Sequence, residues 1–475
     1  MKKIFDYVDQ NFDRMMEEFC SHRSVAGDKT GLEETRNWID KKLSAVGIPH
    51  EFEKVENGNP LISASVSGED GDKHPSLLFY NHYDVVEEGK HELWSNEPFG
   101  PVIRDGVLYG RGVSDNKGPL LSRIQAVEAI LAVEGKLPIN VKFLFEGDEE
   151  TSSPSLSKFS REQSEKFKEL SKADVCLWEN GRRDEEGRPW ARFGVRGSVS
   201  FELSVETAKK DVHARMGTYV PSASWRLVWA LASLKSADER ITIEGFYDDV
   251  LPVTKKDEEI LNAFPYNEKI QLEKLGLTSF LRGSSGLELK KQIYMEPSMS
   301  VCGLEAGELY NGARGIVPHK AYARIGFYLV ANQSPDKVEE QLREHLKKHG
   351  FGDVKVVRRG GNTPVRTSVD IPLKKWLEHS AAEVYDKPMV IEPTALGSGP
   401  AIYFHRAWPD MPIVGVGPGN TNANHHAPNE NMKLDDYKAS IKHMIALMYE
   451  MEKQDRIRNK RTDLVFTHNT RSVLL

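Results

Sequence analysis

Five short segments of this chain end in side chains that bind divalent cations. They are Asn81-His82-Tyr83-Asp84, Gly110-Arg111-Gly112-Val113-Ser114-Asp115, Glu146-Gly147-Asp148-Glu149-Glu150, Trp178-Glu179-Asn180 and His425-His426-Ala427-Pro428-Asn429-Glu430. Each sets a His or a carboxylate at the end of an apolar run or on a turn marked by Gly or Pro. Parallel sheets carry their reactive residues in such places, beyond the carboxyl ends of the strands. Imidazoles and carboxylates in this number suit a pair of zinc-like ions, which generate hydroxide from water near neutral pH.

Taken singly, the residues are ambiguous. His82 and Asp84 leave a strand on alternate positions and so point to one side. A carboxylate there would orient the imidazole and raise its basicity, but a polar turn would look the same. Asp115 precedes a helix and reads first as its N-cap. It could equally bridge two ions. Glu149 and Glu150 repel each other unless cations are near; one can ligate while the other serves as general base. Glu179 is an odd charge to follow a buried strand, and His426 alone is a loop histidine. Together, at strand ends and turns of one α/β domain, they form a coherent set.

The elements that must position them alternate. Helical spacing of apolar residues appears at 12–20, 32–46 and 117–135, the last with Leu120, Leu121, Ile124, Val127 and Ile130 on one face. Short apolar runs at 77–80, 141–145 and 175–178 read as strands. This is an α/β domain with a mostly parallel mixed sheet flanked by helices. From about Arg196 the pattern changes to strictly alternating strands at 199–205 and 321–330, with helices at 223–234 and 335–349. These predict a smaller inserted α/β lid, its 240–300 stretch unplaced. A helix at 373–385, strands at 389–391 and 413–416 and a helix at 437–451 return to the first pattern. The catalytic domain is therefore expected over 1–195 and 364–475, the lid over 196–363, and a loosely held tail over the last 20 residues.

A net charge of -7 gives no reason to expect nucleic acid or an anionic membrane as partner. The three cysteines, Cys20, Cys176 and Cys302, are odd in number and far apart. They argue against a disulfide framework and, with no CxxC pair, against a thiolate zinc site, and they fit a reducing compartment. With no signal-peptide core and no membrane-length apolar run, a cytoplasmic protein is expected.

These motifs, in this order, resemble the co-catalytic zinc peptidase and deacylase family of carnosinase-type dipeptidases, glutamate carboxypeptidases, acetylornithine deacetylases, succinyl-diaminopimelate desuccinylases and aminoacylases. The resemblance implies that His82 and Glu179 hold one zinc, and Glu150 and His426 the other. Asp115 bridges them, followed by a cis peptide; Glu149 is the general base and Asp84 orients His82. It implies an amide hydrolase using a hydroxide between ions roughly 3.5–4 Å apart, with manganese or cobalt accepted by the same donors. His213, in Asp211-Val212-His213, is implied as the oxyanion donor, presented across a lid-mediated homodimer. Asn311 and Ser398 match substrate-contacting segments. Where relatives carry a carboxylate-binding Arg, Tyr328 stands here; Arg324, on the same strand face, is the expected substitute. The substrates implied are dipeptides or short peptides, the alternative being N-acyl amino acids cleaved by a deacylase.

Overall fold

The central strands are apolar on both faces because helices cover both. In the computed structural model, which describes residues 1–12, 15–69, 71, 74–307 and 315–471 (side chains to 457, Met15 aside), the chain divides into two compact units. The first comprises Met1–Phe193, Thr367–Glu392 and Tyr403–Leu475; the second comprises Gly194–Arg366 and Pro393–Ile402.

The first unit is built on a ten-stranded mixed sheet. At its centre Asn140–Glu146, Ser76–His82, Val175–Trp178 and Ile413–Gly415 run parallel, in that spatial order. Their register aligns the carboxyl ends, pairing His82 with Glu146 and Tyr80 with Trp178. Leu77, Leu78, Phe79 and Tyr80 are fully buried, as expected of a strand covered on both faces. Tyr80 stacks on Trp178 with ring centroids 4.2 Å apart.

The helix Lys117–Glu134 departs from the one-faced pattern expected of it. Lys117, Ser122, Arg123 and Gln125 are buried along with the apolar stripe. The reason is its surroundings: the sheet, the helices Lys2–Asn11, Met15–Ser21 and Lys29–Val46, and the long helix Leu434–Arg471 enclose it. That last helix continues through the polar residues after 451 to Arg471.

The second unit is an antiparallel sheet in the order Ser298–Ala306, Lys320–Leu329, Gly194–Glu206, Lys355–Asn362. Alternate residues Val199, Phe201, Leu203 and Val205 face a core that includes Leu227 and Ala230 of the helix Ala223–Leu234 and Leu342 and Leu346 of the helix Pro335–Lys348. The 240–300 stretch forms helices Lys255–Ala263, Glu268–Leu275 and Gly286–Met295 and then the strand Ser298–Ala306. Pro393–Ile402 belongs with this unit because Ala395–Ser398 pairs in parallel with the start of Gly194–Glu206.

Candidate metal centre

His82 ends its strand at 1 % exposure, its Nδ1 3.0 Å from the Asp84 carbonyl oxygen and 3.4 Å from the Asp84 carboxylate. That leaves Nε2 free to turn outward, where it lies 3.3 Å from Asp115. The other Asp115 oxygen is 3.3 Å from His426 Nε2, which is also 3.2 Å from Glu150. Asp84 does more than face His82. Its two oxygens accept the backbone N–H groups of Glu149 and Glu150, at 3.1 and 2.9 Å, and so set the loop that carries both acids.

Asp115 is not the N-cap of the helix that follows. Asn116 holds that position, without a side-chain cap bond, and the Asp115–Asn116 peptide is cis. The Asp115 side chain instead accepts from Asn180 at 3.0 Å, and Asn180 accepts from Asn116 at 2.7 Å. The Gly-rich turn before Asp115 wraps a carboxylate that sequence reasoning passed over. Glu430, wholly buried, accepts the N–H groups of Gly112, Ser114 and Asp115, each at 2.9 Å, and Arg111 Nη1 at 2.8 Å. Asn429 and Asn431 flank Glu430, so no apolar run marks it in the sequence. His425, beside His426, takes Ser114 Oγ at 2.8 Å.

His82, Glu149 and Glu150 form one group of potential ligand atoms lying within 4.8 Å of one another; Asp115, Glu150 and His426 form a second. Glu179 belongs to neither, but its Oε1 and that of Glu150 are buried without a hydrogen-bond partner.

The electrostatics call for cations. Burial, reinforced by Glu179 and Glu150, pushes the Glu149 carboxyl well above the usual carboxylate range. Burial likewise lifts Glu179 to about 8, against the pull of His82. Burial opposes the charge on Asp115, yet hydrogen bonds to His426 and His82 hold it well below its usual range. His426 rises to about 10 through its bonds to Asp115 and Glu150. Five carboxyl groups around two imidazoles thus compete for too few protons. Orphaned oxygens and a shared Asp between two His Nε2 atoms are what a pair of divalent ions would satisfy.

A sequence profile of Peptidase family M20/M25/M40 matches residues 78–450. The chain belongs to this peptidase family. Among solved structures it resembles an M20 family metallo-carboxypeptidase from Sulfolobus solfataricus, at 32 % identity and TM-score 0.85 over 92 % of this chain and 98 % of that one. Mouse Beta-Ala-His dipeptidase is 27 % identical, with 96 % of each chain covered. The Cys-Gly metallodipeptidase dug1 of Schizosaccharomyces pombe is 26 % identical over 73 % of this chain and 76 % of its own length. The M20 chain is therefore a peptide-bond hydrolase that depends on divalent metal ions.

The remaining sequence candidates fall in the second unit. His213 is exposed on the short strand Val212–His213, its Nδ1 accepting from Arg215 N at 3.2 Å. Arg324 shares the exposed face of its strand with Tyr328 and pairs with Glu202 at 3.0 Å. Ser398 Oγ lies 3.1 Å from Ser198 Oγ. Asn311 lies outside the described residues.

Proposed function

We propose that this M20 peptidase cleaves dipeptides, with two zinc ions held by His82 and Glu179 on one side and by Glu150 and His426 on the other, Asp115 shared between them. The observation that carries the reading is Asp115 itself, 3.3 Å from both His82 Nε2 and His426 Nε2. Ions bound there would lower the pKa of water and polarise a substrate carbonyl. The chain's own residues do the rest. As water adds to the amide carbon, the Glu149 carboxylate accepts its proton and returns it to the amine nitrogen as the C–N bond breaks. Asp84 fixes the Glu149-Glu150 loop and the Nδ1 side of His82.

In the second unit, His213 is our candidate donor to the developing oxyanion, and Ser398 and Arg324 are our candidate substrate contacts. Arg324 must leave Glu202 to take a carboxylate. A homodimer through this unit is supported by two features. The strand Ser298–Ala306 is an edge strand with Val301 48 % and Leu304 56 % exposed, and Trp225 and Trp229 stack on the outer face of their helix, 59 % and 54 % exposed. Such exposed edges and patches mark partner surfaces. A cytoplasmic location fits the three free cysteines. Among the described residues, no helix is long and apolar enough to cross a membrane.

The test is turnover by metal-reconstituted protein of a dipeptide panel and an N-acyl amino acid panel, with Glu149→Gln as control. Dipeptide cleavage that vanishes in E149Q supports the reading. Cleavage of N-acyl amino acids alone would make the chain a deacylase.

A further inference from the structure

Three asparagines each adjoin a residue proposed above as a metal ligand: Asn81 precedes His82, Asn116 follows Asp115 and Asn180 follows Glu179. Their side chains are joined in one line. Asn81 Nδ2 donates to Asn116 Oδ1, Asn116 Nδ2 donates to Asn180 Oδ1 at 2.7 Å, and Asn180 Nδ2 donates to Asp115 Oδ1 at 3.0 Å. Asn81 and Asn116 are wholly buried. The line ties the end of the strand Ser76–His82 to the turn before the helix Lys117–Glu134 and to the segment after the strand Val175–Trp178.

The line can run in one direction only. A carboxamide gives from its nitrogen and takes at its oxygen, whereas a backbone carbonyl and an ionised carboxylate only accept. At its start, Asn81 Nδ2 also donates to the Glu179 carbonyl oxygen at 3.4 Å, and that carbonyl is held by Arg123 Nη2 at 3.2 Å. At its end stands the Asp115 carboxylate. Asn116, between them, has to take from Asn81 and give to Asn180. The amide dipoles therefore align, each strengthening the next, and deliver an N–H to one chosen oxygen of Asp115. That oxygen, Oδ1, is the one 3.3 Å from His82 Nε2. Oδ2 instead faces His426 Nε2 at 3.3 Å and His425 Nδ1 at 3.8 Å.

We propose that Asn180, oriented by Asn116 and Asn81, is a positioning residue that keeps Asp115 Oδ1 turned toward His82. It thereby governs affinity for the ion assigned to His82 and Glu179, and leaves the ion assigned to Glu150 and His426 alone. The inference rests on the two-ion reading given under the proposed function.

The test is calorimetric titration of zinc into the metal-stripped full chain. Wild type is expected to take two ions. Asn180→Ala should bind one of them at least about tenfold more weakly and the other with unchanged affinity. Double variants show which ion is affected. In a His82→Ala background N180A should bring no further loss, whereas in a His426→Ala background it should weaken the remaining ion at least about tenfold. Unchanged affinities for both ions, equal weakening of both, or a loss that appears in the H82A background and not in H426A would each overturn the proposal. A general packing defect would give the second of these outcomes. Should N180A fail to fold, Asn116→Ser, which breaks the line one amide earlier, must weaken the same single ion, and a uniform loss or none is equally fatal. Wild type that takes fewer than two ions would overturn the two-ion reading, and the proposal with it; wild type that takes two beside a variant that behaves alike at both would overturn the proposal alone.

Discussion

Glu430 and Asp115 are joined by a 2.9 Å hydrogen bond from the Asp115 amide to a carboxylate buried beneath it. The bond matters because the same carboxylate holds Gly112, Ser114 and Arg111, so the turn that aims Asp115 is wound on one anion. Glu430→Ala leaves Arg111, 1 % exposed, without its counter-charge. Breaking a buried pair in this way costs about 3–5 kcal/mol, and metal stoichiometry should fall. Glu430→Gln, which keeps the acceptor oxygen, should recover most of the metal content. Metal analysis beside chemical denaturation checks both; equal metal content in E430A and wild type would dismiss the positioning role.

Glu149→Gln separates binding from chemistry. Loss of the proposed general base should lower kcat by about 10²–10⁴-fold with both ions retained. Removing a carboxyl that burial and Glu179 hold well above its ordinary range should leave the metal-free protein no less stable. A variant that loses metal along with activity would make Glu149 a ligand, as its place in the group with His82 and Glu150 allows.

Asp84→Asn alters the acceptor for two backbone amides and the partner of His82 Nδ1. Changes to groups that support metal ligands typically cost 10–100-fold in affinity or activity. Competition against a chromogenic chelator should show a loss in that range, while an unchanged affinity would leave Asp84 with a folding role only.

The metal-free protein should lose stability as pH rises. Glu179 titrates at about 8 in the folded chain against 4.5 ordinarily, so between those values the folded state holds the extra proton and stability falls with pH. His426, raised from 6.5 to about 10, contributes stability that is complete below 6.5 and lost as pH climbs through 10. Asp115, held below 3.8, contributes only in the opposite direction and only in acid. The slope is about 1.4 kcal/mol per pH unit for each proton. Bound divalent ions take the place of these protons, so the gap in Tm between loaded and stripped protein should widen from pH 5 to pH 9. Parallel melting curves would count against the cluster as the metal centre.

Trp229→Lys, on a helix face that already exposes Trp225, tests the proposed homodimer. Light scattering should report half the wild-type mass with the far-UV spectrum retained. An unchanged mass would place the interface elsewhere, or show no dimer at all.

Much of the central sheet was legible because charge interrupts hydrophobicity there in a way that needs explaining. His82 and Glu179 each follow strands buried on both faces, and the runs at 77–80 and 175–178 fall within the observed strands Ser76–His82 and Val175–Trp178. The lid strand 321–330 was legible from strict alternation, which matches the burial of Lys320–Leu329 apart from one residue at each end. The strand Ser298–Ala306 was not, because an edge exposed on both faces has no period to read: Ser300, Val301, Cys302, Gly303 and Leu304 all meet solvent. The helix Glu268–Leu275 buries nothing fully and so carries no apolar stripe. Glu430 was hidden for another reason. Its partners, three backbone amides and the Arg111 side chain, are more than 300 residues away in sequence, and no local pattern records them.

The first unit is assembled from chain segments that leave the ribosome far apart in time. His82, Asp115, Glu150 and Glu179 are made early, whereas His426 and Glu430 follow only after the whole second unit. At ordinary rates of synthesis the interval is on the order of ten to fifty seconds. Throughout it, Asp115 sits on a turn whose organising carboxylate does not yet exist. A nascent chain therefore carries four of the five proposed metal ligands and no means of aiming Asp115, the one proposed to be shared. Hydrolytic competence arrives late and all at once, when the C-terminal segment closes the turn.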